Sequence, residues 1–351
     1  MSGAGKKIML KELIPEGIPT AEHFEIVDVT IGEGDLAEGD LLLQTLVLSA
    51  DPYMRGGFKD GAVPRPVAGF VAGKVVASNS AAWPVGSFLG AHLPYVTLQV
   101  VTAAALGATM AWNLTEYVTE ETISRGIGVL GMPGATAYGG LMDVLRPEAG
   151  ETLFVSAAAG AVGGLVGQIA KRVVGCKVVG ACGGAAKGVL VKEKYGFDAA
   201  IDYKTTADAA ALGALLKGEA PDGIDMYFEN VGGMHFDAAF AALRPGGRIA
   251  VCGAIAGYNH ARGTAPTNVI DITKMIYTRQ RIEGFVCHPW LTGAKGNFLP
   301  DMAKWLSEGK VHVEETAFDG VGAFPEAFAA LFTGANTGKV VVRTAGDATL
   351  A

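Results

Sequence analysis

The hydrophobic rhythm of the chain changes near residue 130. Up to about residue 125, short apolar runs alternate with Gly, Pro and Asp: Phe24-Glu25-Ile26-Val27-Asp28-Val29, then Leu41 to Ser49, then Gly73-Lys74-Val75-Val76-Ala77. Runs of this length bounded by turn formers predict an antiparallel, barrel-like domain. Beyond residue 130 the strand-like runs are longer-spaced, at Thr152 to Ser156, Lys177 to Ala181, Ala199 to Asp202, Ile224 to Glu229 and Arg248 to Val251. Helix-length segments separate them, at Val162 to Val174, Ala185 to Tyr195, Asp208 to Lys217 and Met234 to Leu243. Strand–helix alternation requires right-handed βαβ crossovers, and therefore a parallel sheet with helices on both faces. From Val311 onward the pattern returns to short β-like pieces such as Lys339-Val340-Val341-Val342-Arg343, which are expected to rejoin the first domain.

Composition narrows the class. A chain of 351 residues that is 50% hydrophobic can bury two substantial cores. Its 50 glycines follow no collagen-like period, so they mark tight turns and close backbone approaches. The formal charge of −7 argues against nucleic acid as a partner while leaving room for a local cationic pocket. The start, Met1-Ser2-Gly3-Ala4-Gly5-Lys6-Lys7, lacks the apolar core of a signal peptide, and charges or prolines interrupt every stretch long enough to span a bilayer. A cytoplasmic protein without a membrane segment is expected. Cys176, Cys182, Cys252 and Cys287 have no CxxC spacing, so they read as small buried hydrophobes rather than as disulfides or zinc ligands. The sequon Asn113-Leu114-Thr115 carries no weight without secretion.

One stretch carries cofactor chemistry. Leu153-Phe154-Val155-Ser156-Ala157-Ala158-Ala159-Gly160-Ala161-Val162-Gly163-Gly164 reads as an apolar strand, a turn of small residues and the start of a helix. It is a dinucleotide fingerprint with Ala158 where the first glycine usually stands. Small residues let the backbone approach a pyrophosphate, Gly163 permits close helix–strand packing, and the N–H groups at the helix start favour an anion. About one strand later, NAD enzymes carry an acid for the ribose 2′-hydroxyl. No acidic residue occurs between Thr152 and Lys192, whereas Lys187 follows the loop Cys182-Gly183-Gly184-Ala185-Ala186. An ammonium beside a glycine loop attracts a 2′-phosphate, so the expected cofactor is NADP(H).

Several blocks in order along the chain resemble a known family: Ser49-Ala50-Asp51-Pro52-Tyr53-Met54-Arg55-Gly56, Gly131-Met132-Pro133-Gly134-Ala135-Thr136-Ala137-Tyr138, Ser156 to Gly163, Glu229-Asn230-Val231-Gly232-Gly233, Cys252 to Asn259, and Asn336-Thr337-Gly338-Lys339. They are similar to the zinc-independent medium-chain dehydrogenase/reductases, in the group of prostaglandin reductase (leukotriene B4 dehydrogenase), alkenal double-bond reductase and curcumin reductase. The resemblance implies an α/β chain with a Rossmann-type doubly wound parallel sheet plus a GroES-like antiparallel β-barrel domain. Residues 1–130 and 311–351 would form the GroES-like catalytic and substrate domain, and 131–310 the Rossmann NADPH-binding domain.

The same resemblance assigns roles by position. Gly160, Ala161, Val162 and Gly163 match residues that hold the pyrophosphate, and Lys187 and Tyr203 match residues at the adenosine phosphate. Asn230, the loop from Cys252 through Gly253, Ala254 and Ile255 to Tyr258, the strand Phe285, Val286 and Cys287, and the segment from Asn336 to Gly338 match the rest of the cofactor site. Tyr258 matches the catalytic tyrosine beside the nicotinamide. Tyr53 matches a residue at the substrate pocket, and Arg55 and Met132 are expected on the same substrate side. From the residues alone, Tyr258 sits in a Gly-containing loop after a predicted strand, where a phenol can donate to a carbonyl or a developing enolate; a packing role stays open. For Arg55 a structural salt bridge is an equal alternative to an acidic substrate group.

The chain departs from the family in two places. The loop Gly183 to Ala186 lacks the polar side chains that relatives place before the lysine, and Trp83 to Met110 is richer in small residues. The Gly-His-Glu motif and four-cysteine lobe of zinc relatives are missing, and His23 with His92 is not a ligand set, so no metal is expected. The expected chemistry is NADPH-dependent reduction of the activated C=C bond of an α,β-unsaturated ketone or aldehyde, with a small enone or enal as partner and a homodimer as assembly. The rival readings are an NADPH-dependent quinone reductase and a non-catalytic NADPH-binding protein.

Overall fold

A computed structural model describes residues 3–32, 34 and 36–350, so Met1 and Ser2 of the N-terminal stretch lie outside the described residues. The chain divides into two compact units, one made of Met1–Met132 with Glu315–Ala351 and the other of Pro133–Glu314.

In Pro133–Glu314, six described strands run parallel in the order Ala199–Asp202, Lys177–Cys182, Thr152–Val155, Ile224–Glu229, Leu243–Val251, Arg281–Gly284. The middles of the two central strands are apolar, and Leu153, Phe154, Val155, Met226, Tyr227 and Phe228 are wholly buried, as a sheet covered on both faces requires. The strand order reverses between Thr152–Val155 and Ile224–Glu229. The chain leaves these neighbours in opposite directions and opens a crevice at their carboxyl ends. This is the doubly wound Rossmann sheet that the alternating pattern predicts.

Local chemistry sets the helix ends. Asp208 accepts a hydrogen bond from the Ala211 amide at 2.9 Å and caps the helix Ala209–Glu219. The helix expected from Val162 to Val174 is α-helical over Ala161–Ile169 and finishes as a π-helical turn, Ala170–Val174. The strand expected at Arg248 to Val251 begins earlier, at Leu243. Phe285 to Cys287, expected as a strand, instead follow the strand Arg281–Gly284. The Phe285 amide makes a last contact with the Val251 carbonyl at 3.3 Å, and Pro289 then starts the short helix His288–Leu291.

The other unit is built on two sheets. One orders Glu315–Asp319, Lys339–Arg343, Leu41–Ala50, Ala68–Ser78, Phe88–Pro94 and Ala111–Asn113, with Leu98–Val101 also on Leu41–Ala50. The second centres on Gly3–Leu10, flanked by Phe24–Ile31 and Thr349–Leu350, with Arg65–Pro66 also paired to it. Pairing is antiparallel except between Glu315–Asp319 and Lys339–Arg343, where the helix Phe324–Thr333 supplies the crossover that a parallel pair needs. Phe24, Phe58, Tyr95, Phe324 and Phe328 meet at 5.3 to 5.7 Å between ring centroids and form the aromatic centre of its core. No helix among the described residues is long and apolar enough to cross a membrane.

Candidate active site

The fingerprint folds as a strand, a turn and a helix start. Ala157 takes the left-handed conformation (φ 51°), while Ala158 is wholly buried and its amide donates to the Ala181 carbonyl at 2.9 Å. The left-handed residue of the turn is therefore one position earlier than the glycine expected from the fingerprint. At Gly163 a side chain would collide with the Ala157 carbonyl oxygen, so only glycine lets the helix approach the turn this closely. The helix Ala161–Ile169 starts after Gly160, which has no side chain to cap it. Its first N–H groups, on Ala161, Val162 and Gly163, have no carbonyl one turn earlier within the helix and present a local positive end.

Across the crevice, Asn230 is held by both neighbouring strands. Its backbone amide donates to the Ser156 hydroxyl oxygen at 2.9 Å and its side-chain amide donates to the Ser156 carbonyl at 2.7 Å, while the Cys252 thiol donates to its side-chain oxygen at 3.1 Å. Burial pushes the Cys252 thiol up to about 12, which keeps it protonated and able to donate. Beneath Asn230, the Glu229 Oε1 accepts from the Tyr227 hydroxyl (2.7 Å), the Ser156 hydroxyl (3.1 Å), and the amides of Val231 (2.6 Å) and Gly232 (2.9 Å). Sequence reasoning missed Ser156 and Glu229 as site-building residues. The available signal was a hydroxyl directly after one apolar strand stretch, Leu153 to Val155, and an acid directly after the other, Met226 to Phe228.

The loop after Leu243–Val251 is tied to the same place. The amides of Ile255 and Ala256 donate to the carbonyls of Asn230 (3.2 Å) and Val231 (3.0 Å), and Tyr258 ends the 3-10 turn Ile255–Gly257. The Tyr258 hydroxyl oxygen accepts the Ala254 amide at 3.3 Å, so its own hydrogen is left to donate. Burial raises its pKa above the ordinary tyrosine value, which keeps it a neutral donor. Of the next segment, the Phe285 ring turns into the core against Phe228 (6.0 Å) and Trp290 (5.9 Å), and Val286 is exposed.

At the far end of the sheet, Lys187 lies one turn into the helix Ala185–Glu193 and Tyr203 follows the neighbouring strand Ala199–Asp202. The Tyr203 ring meets His235 edge-on at 5.0 Å. The acid of this region, Asp202, is occupied: its Oδ1 accepts the amides of Gly184 (2.9 Å) and Lys204 (3.1 Å).

The remaining candidates belong to the other unit. Tyr53 is 42% exposed and stands edge-on to Phe70 at 6.1 Å. Arg55, expected to meet substrate, is wholly buried with its Nε donating to the Gly17 carbonyl at 3.1 Å; its stem and head are part of the interior rather than of an open surface. Met132 opens the helix Met132–Gly139. The Asn336 side-chain amide donates to the Gly338 carbonyl at 3.4 Å just before the strand Lys339–Arg343. Among the described residues, no three His, Cys, Asp or Glu side chains gather as a ligand set for a metal.

Comparison with known proteins decides the family. Residues 161–308 match the family described as zinc-binding dehydrogenase, and residues 6–108 match the N-terminal domain of oxidoreductase. Prostaglandin reductase 1 of Bos taurus is 39% identical over 327 residues, covering 93% of this chain and 95% of that protein. The chain belongs to the medium-chain dehydrogenase/reductases, in the prostaglandin and alkenal reductase group. The NADP(+)-dependent 2-alkenal reductase of Nicotiana tabacum is 37% identical, with 97% of each chain covered. The crystal structure of CurA in complex with NADPH from Vibrio vulnificus superposes with a TM-score of 0.83 at 36% identity, covering 97% of this chain and 99% of that one. The crevice of this medium-chain reductase fits a dinucleotide on its own geometry: a helix start without a side-chain cap, a turn that a Cβ at Gly163 would block, and a lysine beside a glycine loop, with the strand-end acid Asp202 already bonded to amides.

Proposed function

We propose that the chain is an NADPH-dependent reductase of the activated C=C bond of α,β-unsaturated ketones and aldehydes. The observation that carries this reading is the neutral Tyr258 hydroxyl, half-buried in the loop at the carboxyl end of the sheet with its oxygen on the Ala254 amide and its hydrogen left to give. When bound, the nicotinamide supplies a hydride for the β-carbon of the enone. The residues of the chain do the rest. The N–H groups of Ala161, Val162 and Gly163 bind the diphosphate, Lys187 and Tyr203 bind the 2′-phosphate, and Asn230 orients the ribose end through its amide, fixed by Ser156 and Cys252. Tyr258 donates to the substrate carbonyl oxygen and stabilises the enolate as charge develops there; the α-carbon takes its proton from Tyr258 or from solvent. Pro133–Glu314 is thus the cofactor unit, and Met1–Met132 with Glu315–Ala351 is the unit that carries the substrate candidates Tyr53 and Met132. This route asks for no metal.

Tyr258→Phe tests the assignment because it keeps the ring and removes only the hydroxyl. It should lower kcat and kcat/KM together by roughly ten- to a thousandfold on an enone, with NADPH affinity little changed. Normal turnover by Tyr258→Phe, with loss only in Tyr258→Ala, would assign the ring to packing. Faster turnover of a naphthoquinone than of any enone would favour quinone reduction instead.

We propose a homodimer joined at the edge of the parallel sheet. The outer side of Arg281–Gly284 pairs with no described strand, and beside it in sequence Ile272, Ile276, Tyr277 and Val286 are exposed apolar side chains. A second copy adding its own edge strand would cover both features. Sedimentation of the intact protein at micromolar concentration as a monomer would overturn this.

A further inference from the structure

The loop Cys182-Gly183-Gly184 and the turn Tyr203-Lys204-Thr205 continue two adjacent parallel strands, Lys177–Cys182 and Ala199–Asp202, and the Asp202 carboxylate ties them together through the amides of Gly184 and Lys204. A Cβ at Gly183 would stand 2.9 Å from Cε of Lys204 and 3.2 Å from the Tyr203 hydroxyl oxygen. The Lys204 side chain therefore lies across the same glycine loop from which the helix of Lys187 begins. Lys204 forms no ion pair among the described residues. The two ammonium groups feel each other: burial lowers the Lys187 pKa first, and the charge of Lys204 lowers it further. Two like charges held over one loop repel unless an anion lies between them.

We propose that Lys204 is a second specificity-determining cation for the 2′-phosphate of NADPH, facing Lys187 across the Gly183-Gly184 loop. A phosphate monoester carries close to two negative charges near neutral pH, more than one ammonium neutralises. The loop from Gly183 to Ala186 offers no polar side chain, so its own residues cannot complete the contact, and Lys204 supplies the missing donor from the neighbouring strand end. The inference rests on the reading that Lys187 and Tyr203 bind the 2′-phosphate.

Calorimetric binding of 2′,5′-ADP and of 5′-AMP to the full-length protein tests it without turnover. Lys204→Ala should weaken 2′,5′-ADP by about tenfold and leave 5′-AMP unchanged, with NADPH following the first ligand and NADH the second. Lys204→Arg should retain most of the affinity, since it keeps the charge. Selective weakening by Lys187→Ala but none by Lys204→Ala would overturn the proposal and leave the Lys187 reading standing. Equal weakening of both ligands by Lys204→Ala would make it a structural residue and also overturn the proposal. If neither lysine distinguishes the two ligands, the 2′-phosphate reading itself fails.

Discussion

Each unit buries a carboxylate at the end of a strand immediately before candidate site residues, and the two are neutralised in opposite ways. Asp51, two residues before Tyr53, pairs with the Lys339 ammonium at 3.2 Å, and both side chains are only 4% exposed. The ammonium also donates to the carbonyls of Ala50 (2.8 Å) and Val340 (2.6 Å), and the Ser49 hydroxyl donates to Asp51. Glu229, one residue before Asn230, has no cation beside it among the described residues. Four neutral donors converge on its Oε1 instead. An ion pair attracts strongly but with little directional demand, so it clamps two strands together. A carboxylate shared by a hydroxyl, a phenol and two consecutive loop amides fixes the direction of each donor, and with them the path of Asn230 to Gly232. The first device secures a core; the second shapes a loop.

The largest expected effect comes from breaking the clamp. Lys339→Met leaves Asp51 buried without a counter-charge and should cost roughly 3 to 5 kcal/mol of stability in urea unfolding. Removing both charges, in Asp51→Asn with Lys339→Met, should recover a large part of that loss, because no uncompensated ion remains. A double variant as unstable as the sum of the single ones would mean that the two groups do not act as a pair.

How much of this was legible depends on the range over which the determining contact acts. Apolar runs such as Ile224 to Glu229 and Ala199 to Asp202 coincide with observed strands because burial on both faces writes itself into consecutive residues. The fingerprint was legible for the same reason, as its strand, turn and helix start are contiguous. The Asp51–Lys339 pair was not, since nothing local to either residue marks its partner at the other end of the chain. Arg55 gave no sign of its burial, because an arginine in a polar-looking turn has the same local pattern whether its head faces solvent or the interior. Lys204 was hidden for a related reason: its neighbour Gly183 is adjacent only once two parallel strands are in register.

The unit that buries neutral polar groups should be the one that acid attacks. His235, 3% exposed, has a buried Nε2 without a hydrogen-bond partner among the described residues, and burial lowers its pKa to about 4. In the unfolded chain its pKa is about 6.5. Between these values the unfolded state binds a proton that the folded state refuses, so stability falls as pH drops from about 6.5 toward 4 and no further loss from this group follows below that. The difference amounts to about 3 kcal/mol. Urea unfolding at pH 7 and pH 4.5 should show this loss in the native protein and a clearly smaller one in His235→Phe. Equal losses in both would place His235 in contact with water or a hidden acceptor.

The smallest expected effect tests whether the Glu229 cage positions the loop rather than merely filling space. Burial raises the Glu229 pKa, while the amides of Gly232 and Val231, the Tyr227 hydroxyl and the Ser156 hydroxyl oppose that shift by favouring the charged form. Glu229→Gln preserves the volume and one acceptor oxygen. It replaces charge-assisted bonds with neutral ones and puts an amide nitrogen where Oε2 now has no partner among the described residues. The expected cost is about 1 to 2 kcal/mol, less than breaking the Asp51–Lys339 clamp. Because the cage holds the amides of Val231 and Gly232, and Ser156 in turn holds Asn230, the same variant should weaken NADPH and NADH by a similar factor, with the 2′-phosphate contribution intact. Fluorescence titration of both cofactors separates the cases. Lost stability with unchanged cofactor affinity would make Glu229 a core residue only, whereas selective weakening of NADPH would mean that the change propagates to the Lys187 end of the sheet and not through Asn230.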